Sequence, residues 1–152
     1  MKRNAPNDDS SLEFCLRLTR AYSVVTRRLD NVLSGLHGLS FADFMILHYL
    51  ESAPGAKLRR VDLAERLGLT ASGVTRSLIP LEKLGLVLRQ SDPRDARVGF
   101  ATLTDSGQKL LTYARNSVQM VAQEALSAVP TGRIDEMSTV LRELAGMNSS
   151  NS

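Results

Sequence analysis

Leu12, Cys15, Leu16, Thr19, Tyr22, Val25, Leu29, Val32 and Leu33 recur at steps of three and four residues, the stripe of an amphipathic helix. Ser10 with Glu13 reads as a capping box at its start and Gly35 as its end. A helix over 10–34 would be about 36 Å long, more than one small core can cover. A second helix is predicted from Phe41 to Glu51, opened by Ser40 with Asp43 and carrying Phe44, Leu47 and Leu50 on one side. Pro54-Gly55 ends that unit, and Leu58 supplies a short strand. Val61–Leu67 forms a third helix, with Ala64 inward and Gly68 closing it. Thr70 caps a fourth, whose buried side is Val74, Leu78 and Leu81 and which ends at Gly85. Leu86–Arg89 and Gly99–Leu103 read as strands. Thr104 caps a fifth helix over 105–128, which Pro130 breaks. Thr131 caps a sixth, with Ile134, Met137, Val140, Leu141 and Leu144 apolar, up to Gly146. Residues 1–9 and 147–152 are polar and predicted to be disordered tails.

This order predicts a mainly α fold with a small β-wing. Helices three and four, joined by the short turn Leu67-Gly68-Leu69-Thr70, form a helix-turn-helix over 60–84. The two strands and their turn form a wing over 86–104. Helices 10–34, 105–128 and 131–145 come from the two ends of a single domain spanning 10–146. Their apolar faces exceed what the middle can cover, and a twofold homodimer is the commonest solution. Such a dimer would present two recognition helices about 34 Å apart, one turn of DNA.

Pro80 falls about ten residues into the fourth helix, where it removes the amide that would bond the Arg76 carbonyl. Either that helix kinks near Arg76 or it is shorter than the apolar pattern suggests.

The chain has 152 residues, 43% of them hydrophobic and 23% charged, which suits one folded domain. No apolar run approaches the ~18 residues that span a bilayer, and residues 1–11 lack the apolar centre of a secretory signal. A single cysteine makes no internal disulfide, so a reducing cytoplasm is the expected location. Residues 57–97 hold nine Lys or Arg against five Asp or Glu, a surplus of four, while the remainder has one acid in excess. A local basic surplus is the footprint of a polyanion site.

The chemistry of that segment is suited to DNA. Ala71, Ser72, Gly73, Thr75 and Arg76 are the outward positions of the recognition helix. Small residues admit the DNA backbone, the hydroxyls bond phosphates or base edges, and Arg76 can bond guanine. In the wing, Asp92-Pro93 starts a turn. Arg97 is the expected minor-groove arginine, with Asp95 as its positioner by an ion pair. Arg94 and Arg89 are expected to meet phosphates. There is no glycine-rich phosphate loop, nucleophile elbow or paired-carboxylate motif, so an enzyme is not expected. Two histidines and one cysteine make no metal cluster of known spacing, and no cofactor is implied.

The segments DLAERLGLTASGVTRSLIPLEKLGLVLR and SDPRDARVGFATLTDSGQKLL resemble the MarR family of bacterial transcriptional regulators, the second through a DPRD-x-R wing followed by an L-T-x-x-G helix start. The resemblance runs from about Ser10 to Gly146. It implies a homodimeric winged helix on a pseudo-palindromic operator, usually a repressor released by a phenolic, another metabolite or an oxidant. It places Ser72, Gly73, Thr75 and Arg76 on the recognition helix, after the Thr70 cap, and Asp95 and Arg97 in the wing. Arg59 departs from the hydroxyl residue the family often has before the third helix, which leaves that helix without its usual cap.

Cys15 is similar in position to the reactive cysteine of the family's organic-hydroperoxide sensors. The tyrosines that surround that sulfur are replaced here by Thr19 and Leu29. Tyr22, His37, His48 and Tyr113 are candidate effector-binding residues near where relatives bind phenolic ligands. The alternatives are a redox repressor using Cys15 and a winged-helix interaction module without DNA binding.

Overall fold

The computed structural model describes residues 8–146. Helix α1 spans Asp8–His37 and α2 Phe41–Ser52. A single 3-10 turn at Pro54–Ala56 leads into β1, Lys57–Arg59. Then come α3 (Arg60–Leu67), α4 (Ala71–Lys83), β2 (Val87–Ser91), β3 (Gly99–Leu103), α5 (Asp105–Ala125) and α6 (Thr131–Leu144). The three strands form an antiparallel sheet in the order β1-β3-β2, with Leu58 opposite Ala101 and Val87 opposite Leu103. This is a winged helix: mainly α, with one small sheet.

Local chemistry sets most of the boundaries. The Ser40 hydroxyl accepts from the Asp43 amide at 3.0 Å, and the Asp43 carboxylate accepts from the Ser40 amide at 2.9 Å, a complete capping box. Thr70 and Thr104 cap α4 and α5 through the amides of Gly73 and Gly107. Gly68 closes α3 in the left-handed conformation, φ 65°.

Other ends differ from expectation. Helix α1 begins at Asp8, so Ser10 is not its cap, and Glu13 instead pairs with Arg17 at 2.7 Å. The expected tail therefore loses residues 8 and 9 to the helix; residues 1–7 and 147–152 lie outside the described residues. Helix α1 also passes Gly35 and stops at His37, before Gly38 with φ 66°. Helix α5 ends at Ala125 rather than at 128. Pro130, not Thr131, is the N-cap residue of α6, and it offers no side-chain bond. Helix α4 runs unbroken through Pro80. That proline is exposed, so water can take the place of the missing amide.

The core gathers one face from each inner element. Leu47, Leu50, Leu63, Leu78 and Leu111 are fully buried, with Val74 and Val87 beside them. Burying each such side chain contributes about 1.5–3 kcal/mol. Strand β3 alternates buried and half-buried positions, which turns Gly99, Ala101 and Leu103 inward.

Two polar links tie α5 to its neighbours α1 and α2. Ser117 of α5 and Nε2 of His37 lie 2.8 Å apart. Glu51 of α2 accepts from Gln108 at 2.6 Å and from Arg115. The Gln108 bond, with the Arg115 bond and charge, holds the Glu51 carboxyl below its ordinary 4.5, against the opposing effect of burial. A carboxylate depressed in the folded state adds stability above its unfolded value, lost as pH falls through the folded one. Glu51→Gln should therefore cost about 1 kcal/mol near neutral pH, with Arg115 partly screened by water. The gap from wild type should close under acid, and thermal melts across pH test this; a constant gap would refute it.

Candidate nucleic-acid interface

Recognition helix α4 stands on the core through Val74, Leu78 and Leu81, which leaves its opposite side to solvent. Ala71, Ser72 and Arg76 are exposed there, and Gly73 and Thr75 are half-covered. The Ser72 hydroxyl lies 3.2 Å from that of Thr70. The Thr75 hydroxyl donates to the Ala71 carbonyl at 3.1 Å, so toward a ligand it acts as an acceptor.

The wing is rigid at its tip for local reasons. The Asp92 carboxylate accepts from the Arg94 amide at 2.7 Å, and the Asp92 amide donates to the Val98 carbonyl at 2.8 Å. Asp95 takes three bonds from Arg97: its amide at 3.0 Å, Nε at 3.0 Å and Nη2 at 3.1 Å. These side-chain and backbone bonds hold the Asp95 carboxyl below its ordinary value. The Arg97 side chain is nevertheless 90% exposed. Its guanidinium is thus fixed in direction by Asp95 and open to a partner.

A cleft of about 350 Å³ joins these parts, lined by Ser72 and Thr75 of α4, Arg97 and Gly99 of the wing, and Arg59 and Arg60 at the start of α3. The structure therefore brings together the helix hydroxyls and the wing arginine that the sequence selects separately. It does not bring Arg89 with them. Nε of Arg89 pairs with Glu82 near the far end of α4 at 2.5 Å, where its charge is neutralised. Arg94 is exposed beside the wing tip, and Arg76 on the helix surface.

Sequence reasoning missed Arg59 and Arg60 as members of this cleft. Their signal was an adjacent basic pair at the start of α3. Arg59 is the N-cap residue of α3; it makes no cap bond, but its guanidinium grips Asp62 at 2.8 and 3.1 Å. That grip raises the Arg59 pKa further. An ion pair thus occupies the place of the missing hydroxyl cap.

The sequence model of the MarR family matches residues 37–98, the span that holds the helix-turn-helix and most of the wing. Over that span the chain is similar to MarR-family transcriptional regulators. Over 140 residues it is 26% identical to the HTH-type transcriptional regulator MhqR of Bacillus subtilis (strain 168), covering 92% of this chain and 94% of the relative. Among solved structures it is similar to the transcriptional regulator BldR from Sulfolobus solfataricus, with a TM-score of 0.84 and 26% identity over 95% of this chain and all of that one. It is also similar in fold to Sco3205, a MarR family transcriptional regulator from Streptomyces coelicolor solved in complex with DNA. There the TM-score is 0.81 at 23% identity, over 95% of this chain and 90% of that one. These relatives are transcriptional regulators, not enzymes. No described helix is long and apolar enough to cross a membrane.

The candidate sensing residues are dispersed over helices that pack on one another. Tyr22 and Tyr113 are mostly exposed, His37 is bonded to Ser117, and the His48 ring stacks on Phe44 with centroids 6.2 Å apart. None of the four lines the interface cleft or the second cavity, of about 550 Å³, beside Arg66 and Gly146. Cys15 is exposed, and the neighbouring Thr19 hydroxyl donates to the Cys15 carbonyl at 2.9 Å.

Proposed function

We propose that the protein is a homodimeric repressor that reads a pseudo-palindromic operator and leaves it when a small phenolic or metabolite binds. The observation that carries the DNA reading is the cleft that joins Ser72 and Thr75 to Arg97. In this reading α4 enters the major groove, and Arg97, aimed by Asp95, enters the adjacent minor groove. Thr70, Gly73, Arg76 and Arg94 flank these contacts. Arg89 belongs to the Glu82 pair and takes no part. The expected location is the cytoplasm, where the operator would be.

The dimer reading rests on uncovered apolar surface. From residue 9 to 28, only Leu18 and Thr26 are even partly covered. Leu12, Phe14 and Leu16 stand exposed on α1, as do Met137, Val140, Leu141 and Leu144 on α6. A surface of this composition on the two ends of a chain fits a second copy. The effector reading places Tyr22, His37, His48 and Tyr113 around the packed α1, α2 and α5. A ligand there would act on the helices that set the spacing of the two recognition helices. The Thr19 hydroxyl is committed to the Cys15 carbonyl rather than to the sulfur, which favours the metabolite reading over a redox one.

Arg97→Ala should weaken operator binding by about 1–3 kcal/mol while thermal stability holds. Fluorescence anisotropy against the duplex that wild type selects tests it. Unchanged affinity would remove the wing from the interface. Binding should also fall steeply as salt rises, as phosphate contacts require.

A further inference from the structure

Gly99 is the first residue of β3, buried at the base of the wing. A Cβ built on it would fall inside the guanidinium of Arg60, on Nη2, Nε and Cζ. The arginine therefore lies flat against the backbone of Gly99, and a glycine is what admits it. The pairing extends the sheet register by one step, since Arg59 already faces Phe100. It joins the first residue of α3 to the wing across 39 positions of sequence.

The charge of Arg60 is also unlike that of its neighbours. Arg59 is held by Asp62, and Arg97 by Asp95. Arg89 is held by Glu82. The Arg60 side chain is half-buried, and among the described residues no carboxylate or carbonyl accepts from its guanidinium. A cation drawn partly out of water without an acceptor costs free energy that a ligand anion would recover. It faces the cleft between recognition helix and wing.

We propose that Arg60 is a phosphate anchor of the DNA interface, held in place by Gly99, and that it clamps one backbone phosphate between the Ser72 hydroxyl of α4 and the wing. This rests on the DNA-binding reading above. A phosphate there would meet the free guanidinium edge of Arg60 on one side and the Ser72 hydroxyl on the other. It would also fix the angle of the wing relative to α3, because the same side chain lies on the wing's first residue.

The test is a set of variants measured by anisotropy against two duplexes: one that wild type selects from a random-sequence pool, and an unrelated one. Arg60→Ala and Arg60→Gln should each lose about tenfold in affinity for both duplexes alike. The slope of log affinity against log salt should shrink by about 0.9, the value of one lost phosphate contact. Gly99→Ala meets only the far end of a flexible side chain, so it should melt like wild type yet bind as poorly as Arg60→Ala. In the Arg60→Ala background, Gly99→Ala should add no further loss. Affinity retained in Arg60→Gln, or equal Gly99→Ala losses with and without Arg60, would overturn the anchor. If Arg97→Ala binds weakly while Arg60→Ala binds normally, the wing reading stands and the anchor falls. If wild type binds neither duplex at low salt, both fall.

Discussion

Replacing Leu141 and Leu144 of α6 with aspartate is expected to give a folded monomer that binds operator DNA at least about 100-fold more weakly. The first half of that result follows from burial. Both leucines are exposed, at 42% and 58%, and α6 holds no buried residue, so the core of α2, α3, α4 and α5 is untouched. The second half follows from tethering. Two half-sites engaged by one dimer make the second contact intramolecular, which multiplies affinity by 10²–10⁴ without any new contact. Each aspartate sets a charge in an apolar interface, where it would lie unpaired and dehydrated. Sedimentation or light scattering reads the mass, circular dichroism the fold, and anisotropy the affinity. A dimer that persists in the double variant would show that α6 is not the interface, and α1 would then be left to carry it.

The elements legible in the sequence were those set by neighbouring residues. Ser40 with Asp43, Thr70 and Thr104 lie three positions before the amides or side chains they bond, so pattern alone finds them. The wing pair was legible for the same reason, because Asp95 and Arg97 are two residues apart. The helix ends were less so. Gly35 and Gly38 are equivalent as letters, and only φ 66° at Gly38 marks it as the stop; a helix absorbs the other at about 1 kcal/mol. Thr131 is typed as a cap, yet the preceding Pro130 already has φ −57° and takes that position. The Arg60–Gly99 approach and the Arg89–Glu82 pair depend on how separate elements are laid together. No periodicity encodes them. The effector site was the least legible, because its candidate side chains are edge residues without a motif and the structure gathers none of them around either described cavity.

Gly107→Ala is expected to destabilise the fold by roughly 3 kcal/mol, while Gly35→Ala should stabilise it by about 0.5–1 kcal/mol. Both glycines sit inside helices, so propensity alone favours alanine at each. The surroundings decide otherwise. Around Gly35 nothing lies within 4 Å of the added carbon. At Gly107 the same carbon would overlap the backbone carbonyl oxygen of Leu86 and approach Cδ1 of Leu103 at 2.7 Å. A backbone oxygen cannot swing aside as a side chain can. That oxygen also accepts the Thr104 amide at 3.1 Å, so moving it loosens the junction between wing and α5. The overlap thus outweighs the propensity gain of about 1 kcal/mol. It gives a physical reason for the glycine of the L-T-x-x-G start: α5 can leave the wing only by passing against the backbone of Leu86, just before β2. For a chain of this size, 3 kcal/mol lowers the melting temperature by about 6–12 °C. A melt that finds Gly107→Ala as stable as Gly35→Ala would mean that the junction yields. The wing and α5 would then not be rigidly coupled, and in the proposed reading an effector bound among the end helices would have no stiff path to the recognition helix.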